Sequence, residues 1–316
     1  MKSAFVTIIG RPSVGKSTLL NKMCGEKVAI VSSVPQTTRN AIRGIVNSQK
    51  GQLVFVDTPG RHSSEKKMNK KLMEVSERAL AESDLVLYLL DASRAPGIEE
   101  EEIAALLKPL AEKTIIAVNK IDIAASDLNK IKDFLNNWLE KNEGKKEESA
   151  LSSFVPLCLS VNSSIHYISA NTGEGVDELL NALFDMAPEG QPMYDSEFYT
   201  DQEAGFRIAE IIREQAINRL RQELPHSLYV DIADMEFKEN EKKGQQLWVR
   251  AFIIVERESQ KGMVVGKGGE MIKAIRLSAL KELKNIFDWK IDLDLRVKTG
   301  KDWRHNDNTL RRIIDR

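Results

Sequence analysis

An octapeptide near the start of the chain has the residue types and spacing of a phosphate-binding loop. It directly follows the apolar run FVTII and precedes the helix-like run STLLNKM. Glycines let such a loop wrap closely, so that backbone N–H groups and the helix N-terminus surround phosphate groups. We expect its lysine to reach the β- and γ-phosphates and its serine hydroxyl to ligate Mg²⁺. The loop and the residue after it are Gly10, Arg11, Pro12, Ser13, Val14, Gly15, Lys16, Ser17 and Thr18.

A carboxylate follows the next apolar run, LVFV, at the position where phosphate-binding NTPases hold the Mg²⁺ shell. This residue is Asp57, and the backbone N–H of Gly60 could meet the γ-phosphate. We therefore assign the whole tetrapeptide to the nucleotide site: Asp57, Thr58, Pro59 and Gly60.

Two later loops have the side chains needed to recognise guanine. The first follows the apolar run TIIAV, and its Asp122 carboxylate can accept two hydrogen bonds from guanine N1 and N2, which adenine cannot offer in that arrangement. The second follows HYI and can supply a backbone N–H to the guanine oxygen. Together they predict GTP and GDP as ligands, held by Asn119, Lys120, Ile121, Asp122, Ser169, Ala170 and Asn171.

The first half of the chain alternates short apolar runs with helix-like segments, a rhythm typical of a parallel sheet with helices on both faces. We predict an α/β fold of the P-loop type, with His166 as a residue of its last strand. Since ligands bind at the carboxyl ends of strands in open α/β sheets, the four motifs should meet at one edge. Residues 144–164 are charged and irregular, and we predict an extended loop there.

The remaining chain predicts a second, smaller α+β domain. A Pro- and Gly-containing segment at 187–199 is the predicted linker, between a first domain at 1–186 and a second at 200–316. Apolar periodicity predicts a helix from Asp201 to Leu224, two strands, two helices and an alternating strand, in the order α-β-β-α-α-β. The chain should then close in a basic tail.

Composition excludes several classes of protein. The 316 residues are 42% hydrophobic and 29% charged, and they contain only two cysteines, which are far apart. This excludes a disulfide scaffold and predicts a reduced, cytoplasmic setting. Charge is unevenly distributed, since residues 241–316 hold 18 Lys and Arg against 11 Asp and Glu. The basic surplus after residue 240 suggests an anionic partner.

A glycine-rich turn between the two predicted helices of the second domain is the candidate binding site for that partner. Small residues allow the backbone of a nucleic acid to approach closely, and a lysine lies inside the turn. Nearby basic side chains are candidate phosphate contacts, although a solvated helix face explains Lys273 and Arg276 equally well. The RNA-binding candidates are Gly266, Lys267, Gly268, Gly269, Lys261, Lys273 and Arg276.

These motifs together resemble the Era family of ribosome-assembly GTPases over nearly the whole chain. The resemblance rests on GRPSVGKS, DTPG, NKID and SAN, on PQTTR at 35–39, and on GKGG in a second domain with the strand and helix order of a type II KH domain. It implies that Thr38 is the switch threonine that closes on Mg²⁺ with GTP bound, with Thr37 as the alternative. The implied Mg²⁺ ligands are Ser17, Thr38 and Asp57, and the implied catalytic residues are Lys16, Thr38, Asp57 and Gly60.

The resemblance further implies a function in ribosome assembly. It implies binding to the 3′ end of 16S ribosomal RNA and to the 30S subunit, as a cytoplasmic monomer with peripheral contact to the inner membrane. Arg61 stands where Ras-like enzymes have a water-orienting glutamine, so turnover should be slow. Arg61 itself is either solvated or a phosphate contact. The competing hypotheses are an RNA-binding scaffold that seldom hydrolyses GTP and a membrane-associated GTPase without RNA.

Overall fold

The computed structural model of the chain contains two compact units. It describes residues 1–32, 34, 37–60, 67–123, 128–143, 165–221, 224–225, 227–240 and 244–314. The first unit comprises Met1–Ala29 and Ala41–Asp201, and the second comprises Ile30–Asn40 and Gln202–Arg316. The second unit therefore contains a short segment from near the start of the chain as well as the C-terminal region.

The first unit is built on a six-stranded sheet with the order β2-β3-β1-β4-β5-β6. Neighbouring strands run parallel except β2, which pairs antiparallel with β3. All residues of β3, β4 and β5 are buried, as expected for strands covered on both faces. The strands are β1 (Lys2–Ile9), β2 (Ile42–Ser48), β3 (Gly51–Asp57), β4 (Leu85–Asp91), β5 (Thr114–Asn119) and β6 (Ile165–Ile168).

Helices alternate with the parallel strands of this sheet. The described helices are α1 (Lys16–Cys24), α2 (Lys67–Glu82), α3 (Ile98–Leu107), α4 (Leu128–Glu143) and α5 (Val176–Met186). Each of β1, β3, β4, β5 and β6 leads at its carboxyl end into a loop, so the predicted motifs meet at one edge of the sheet. The prediction of an α/β P-loop fold is confirmed, and His166 lies in β6 as expected.

The second unit has a three-stranded sheet with the order β7-β8-β9. Here β7 and β8 are antiparallel, with a bulge between Ile232 and Asp234, while β8 and β9 are parallel. One face packs against α6 and α8 through Leu247, Val249 and other buried apolar residues. The elements are α6 (Ala204–Ile217), β7 (Leu228–Asn240), β8 (Gly244–Val255), α7 (Glu258–Val265), α8 (Glu270–Ile286), β9 (Lys290–Thr299) and α9 (Asp307–Ile314).

The predicted order α-β-β-α-α-β is found in this unit, although α6 ends at Ile217, before the expected end at Leu224. The predicted basic tail contains helix α9, whose Leu310 and Ile314 are buried. In the first unit, strand β2 was not predicted. The loop expected at 144–164 lies outside the described residues.

The segment predicted as a linker, 187–199, packs with the first unit. The Gln52 side chain accepts hydrogen bonds from the backbone of Met193 and Tyr194 and donates one to the Tyr194 carbonyl. The two units divide after Asp201.

None of the described helices has both the length and the apolar character needed to cross a membrane.

Replacing Leu310 by alanine tests whether the C-terminal residues are folded as α9. Leu310 is fully buried, so Leu310→Ala should lower the free energy of unfolding by about 3 kcal/mol. Urea unfolding followed by tryptophan fluorescence measures this effect, because Trp248, Trp289 and Trp303 all lie in the second unit. The exposed neighbour Arg311→Ala is the control, and equal stability of the two variants would contradict a folded tail.

Candidate nucleotide site and candidate RNA surface

The phosphate-binding loop connects β1 to α1 with the geometry that its sequence predicts. Gly15 caps α1 with a φ of 107°, a conformation that residues with a side chain rarely adopt. A Cβ atom at Gly15 would also lie 2.3 Å from the side-chain nitrogen of Asn119. Glycine is therefore required at this position, both for the turn and for the approach of the guanine-recognition loop.

Lys16 is held inside the loop by backbone carbonyls. Its ammonium donates to the carbonyl oxygens of Gly10 and Arg11, at 2.9 and 3.0 Å. Burial lowers the pKa of Lys16 to about 8, and the charges of Asp57 and Glu99 act in the opposite direction. A phosphate group next to this ammonium would favour its charged form, as the predicted role requires.

Ser17 and Asp57 are brought together at the head of α1 and the end of β3. The Ser17 hydroxyl donates to the Asp57 carboxylate over 2.5 Å, and Asp57 is fully buried. A hydroxyl and a carboxylate are the oxygen ligands that Mg²⁺ prefers, so this pair fits the ion. Gly60 lies against the phosphate-binding loop, since a Cβ there would lie 2.8 Å from the Cα of Pro12.

Asn119 ties the guanine-recognition loops to the phosphate-binding loop. Its side-chain amide donates to the carbonyl of Val14 and accepts from the backbone N–H of Ala170, both at 2.8 Å. Asp122 is exposed beyond this contact, where its carboxylate is accessible to a base. The four predicted motifs thus form a single cluster in the first unit.

The structure adds Asp91, which the sequence analysis missed. Its buried carboxylate accepts hydrogen bonds from Arg11 at 3.0 Å and from Lys120 at 2.8 Å. Lys120 also donates to the carbonyl of Ser13 at 2.8 Å. Asp91 therefore joins the phosphate-binding loop to the guanine-recognition loop. Its position at the carboxyl end of β4, in line with the other motifs, was the available sequence signal.

Asp91 remains ionised despite its burial. Burial raises its pKa, but hydrogen bonds from Lys120 and Ser93 outweigh that effect, so the net shift is downward. Glu100 on α3 forms a second buried ion pair with Arg11, at 3.1 Å. The guanidinium of Arg11 therefore forms ion pairs with two carboxylates, those of Asp91 and Glu100, which explains how this charged group can be buried.

Thr37 and Thr38 lie on a segment that belongs to the second unit. Residues 30–40 belong to the second unit, whereas Ser17 and Asp57 belong to the first. Thr37 is buried, and its hydroxyl donates to the carbonyl of Val34 at 2.6 Å. Pro35, Gln36 and Arg61 lie outside the described residues.

The glycine-rich turn of the second unit connects α7 to α8. Gly268 has a φ of 61°, and a Cβ there would contact nothing within 4 Å, so the turn is open to solvent. Lys267 is exposed inside the turn, and Gly266 and Gly269 flank it. A nucleic-acid backbone could therefore approach the turn closely, as predicted.

The other RNA-binding candidates differ in their surroundings. Lys273 is exposed on α8. Lys261 forms an ion pair with Glu258 at 3.0 Å. Arg276 donates to the carbonyl of Leu293 on β9, so part of its guanidinium is used within the unit. Of these three, Lys273 is best placed to contact phosphate.

Comparison with known proteins identifies the family. A family model described as a 50S ribosome-binding GTPase matches residues 5–120, and a KH domain model matches residues 223–304. GTPase Era of Treponema denticola is 50% identical over 313 residues, covering 99% of each chain. The chain belongs to the Era family of GTPases. GTPase Era of Borreliella burgdorferi is 43% identical over 315 residues and covers 100% of both chains.

Two solved Era structures resemble the whole chain. A single-residue variant of Aquifex aeolicus Era bound to GDP and AlF₄⁻ has a TM-score of 0.86 and 32% identity, with 99% of each chain covered. An Era complex with MgGDPNP and nucleotides 1506–1542 of 16S ribosomal RNA has the same score and identity, covering 99% of this chain and 98% of that one. This Era-family protein is thus a GTPase, with GTP as its substrate.

Removing the charge of Asp91 tests its role in joining the two loops. Asp91→Asn should weaken GDP and GTP binding equally, by about tenfold or more, because both loops lose a buried charged partner. Competition against a fluorescent GDP measures both constants. Asp185→Asn, which removes only an exposed ion pair with Lys50, is the control. Unchanged affinity in Asp91→Asn would disprove the role.

The lowered pKa of Lys16 predicts a pH dependence of nucleotide binding. Phosphate favours the charged ammonium, so the bound pKa exceeds the free value of about 8. Affinity for GDP should be constant below pH 7 and fall above about pH 8, approaching tenfold per pH unit. Titration calorimetry in buffers of different ionisation enthalpy should show proton uptake there. Lys16→Arg should show no such decline, because arginine stays charged.

Proposed function

We propose that this Era-family GTPase is a guanine-nucleotide switch that binds the 3′ end of 16S ribosomal RNA and assists assembly of the 30S subunit. The proposal rests on two features of one chain. The predicted phosphate and guanine motifs cluster in the first unit, and an exposed Lys267 lies in an open glycine turn in the second. The solved Era complex with 16S ribosomal RNA supports the identity of the RNA.

We assign the Mg²⁺ site to Ser17, Asp57 and Thr38, with Thr37 as the alternative to Thr38. Ser17 and Asp57 are already in contact, and the donor set is entirely oxygen. When bound, the ion would neutralise charge on the phosphate oxygens. Loss of the γ-phosphate would then release the segment that carries Thr38.

The protein's own groups contribute mainly position and charge to hydrolysis. Lys16 places a buried cation beside the β- and γ-phosphates, and the backbone N–H of Gly60 meets the γ-phosphate. Water attacks the γ-phosphorus in line, the bond to the β-phosphate oxygen breaks, and phosphate and GDP leave. Because position 61 is arginine rather than glutamine, we expect slow intrinsic turnover.

A hydrolysis measurement separates an active switch from a passive scaffold. Asp57→Asn should slow single-turnover GTP hydrolysis by about a hundredfold or more, since it removes a charged ligand from the site. The exposed Asp133→Asn on α4 is the control. If wild-type protein does not hydrolyse GTP, or if Asp57→Asn hydrolyses at the wild-type rate, the proposed reaction is wrong.

RNA binding through the glycine turn can be measured by salt dependence. Lys267→Ala should weaken binding to the 16S 3′-end RNA and reduce the slope of log affinity against log salt by about 1, because one phosphate contact is lost. The control is Lys284→Ala, an exposed lysine at the other end of α8. Equal RNA affinity in the two variants would show that the turn is not the RNA site.

We further propose that the protein acts in the cytoplasm as a monomer. Its expected partner, the 30S subunit, supports this location. Peripheral contact with the inner membrane is proposed on the family resemblance alone. Flotation with liposomes tests it, and protein that remains at the bottom of the gradient would exclude it.

A further inference from the structure

A small cavity inside the second unit has an unusually polar wall. Its volume is about 20 Å³, which is enough for one water-sized particle. Every residue that lines it belongs to the second unit, and none of them is assigned to the nucleotide, Mg²⁺ or RNA sites. The polar residues of the wall are Arg39, Asn40, Glu210, Arg213 and Tyr229.

Arg213 contributes a buried N–H donor that is unpaired. Its side chain is 2% exposed. Its Nε and Nη2 atoms donate to the Glu210 carboxylate at 2.7 and 2.5 Å, and Nη2 also donates to the carbonyl of Thr37. The Nη1 atom, in contrast, is buried without a hydrogen-bond partner in the described part of the chain. Because buried donors in proteins are nearly always paired, a small acceptor is expected in the cavity.

Arg39 is a second buried cation on the same wall. It is 3% exposed, donates to the carbonyl of Leu228 at 2.8 Å and lies 5.6 Å from the ring centre of Trp303. Burial, followed by the nearby charge of Arg213, lowers the pKa of Arg39 to about 9, while the Glu210 charge acts in the opposite direction. The surroundings of this guanidinium are therefore unfavourable to its positive charge.

The charges on the wall are not balanced. Two guanidinium groups, those of Arg39 and Arg213, lie around one carboxylate, that of Glu210. Arg304 adds to the positive surroundings of Arg39, although it is itself paired with Glu256. Excess buried charge is costly unless a counter-charge is present. A water molecule could accept the Nη1 hydrogen of Arg213 but could not neutralise the excess charge, whereas an anion does both.

The size of the cavity selects the kind of anion. Phosphate, sulfate and carboxylate groups each contain several heavy atoms, and a volume of about 20 Å³ is too small for them. Chloride is only slightly larger than a water molecule. It also accepts N–H groups from many directions, so it places few demands on the geometry of the wall.

We propose that this cavity is a binding site for a monatomic anion, chloride. The ion accepts the Nη1 hydrogen of Arg213, and Arg39 supplies the second positive charge. Because the wall exists only in the folded second unit, binding of the ion stabilises that unit. The site shares no residue with the proposed nucleotide, Mg²⁺ and RNA sites, so it does not depend on the proposed function.

Urea unfolding of the full-length protein tests the site in solution. Tryptophan fluorescence follows the second unit, which contains Trp248, Trp289 and Trp303. At constant sodium concentration, chloride should replace gluconate, which is too large to enter the cavity. The unfolding constant should fall by up to about tenfold for each tenfold rise in chloride once the site fills. Equal stability in chloride and gluconate would overturn the proposal.

Two charge variants should change the chloride effect in opposite directions. Arg39→Gln removes a cation from the wall and should abolish the chloride dependence. Glu210→Gln removes the one carboxylate among the described lining residues and should raise chloride affinity by about tenfold. The control is Arg219→Gln on the same helix, which loses hydrogen bonds to Gln215 and Ser278 and should behave as wild type. Chloride effects that change in the same direction in both wall variants would contradict the proposal, since loss of packing alone would cause that.

Bromide locates the ion in the wild-type protein, without relying on any variant to fold. Crystals soaked in sodium bromide should give an anomalous difference peak at the bromine absorption edge, within hydrogen-bonding reach of Arg213 Nη1. Electron density at that place without an anomalous signal would identify water and overturn the proposal. A cavity without density, or bromide bound only elsewhere, would also overturn it.

Discussion

The geometry of the candidate nucleotide site depends on the hydrogen bonds that the buried carboxylate of Asp91 accepts from two neighbouring loops. The loops after β1 and β5 both bring a cation to it, from Arg11 and from Lys120. A buried carboxylate is stable only with such partners, and the cations in turn need the carboxylate. Each loop therefore fixes the other, and Asn119 extends the connection to the loop after β6. The predicted phosphate-binding and guanine-recognition loops therefore share one buried carboxylate, that of Asp91.

Buried charged side chains also hold a segment in the second unit, residues 30–40. Arg213 and Glu214 are charged residues buried on α6, and both bind backbone groups of residues 30–40. These contacts involve backbone groups, so they do not depend on the side chains of Val31 and Thr37.

The motifs that bind nucleotide could be predicted because their signals are local. Gly15 and Lys16 sit at fixed spacing after an apolar strand, and Asn119 follows another such strand. Strand β2 escaped prediction because Arg43, Gly44 and Asn47 interrupt its apolar pattern. It is an antiparallel edge strand, which needs less burial than a central strand.

Other features depend on partners that are distant in the sequence. Arg213 and Glu214 have the sequence pattern of the solvent face of an amphipathic helix, yet both are buried and contact residues 30–40. No local pattern identifies Thr37 as the partner of a residue 176 positions later. The buried role of Asp91 was missed for the same reason, since Arg11 lies 80 residues before it. Helix α9 is short, and its burial depends on tertiary packing.

The composition of the second unit from two distant parts of the chain has a consequence for synthesis on the ribosome. Asn40 binds Ile314, which follows it by 274 residues. At synthesis rates of about 5 to 20 residues per second, roughly 15 to 55 seconds separate the synthesis of these two residues. The strands of the first unit emerge well within that interval. A nascent chain therefore exposes its phosphate-binding loop before residues 30–40 have any of their partners, and Asn40 acquires its partners on α9 only when translation is nearly complete.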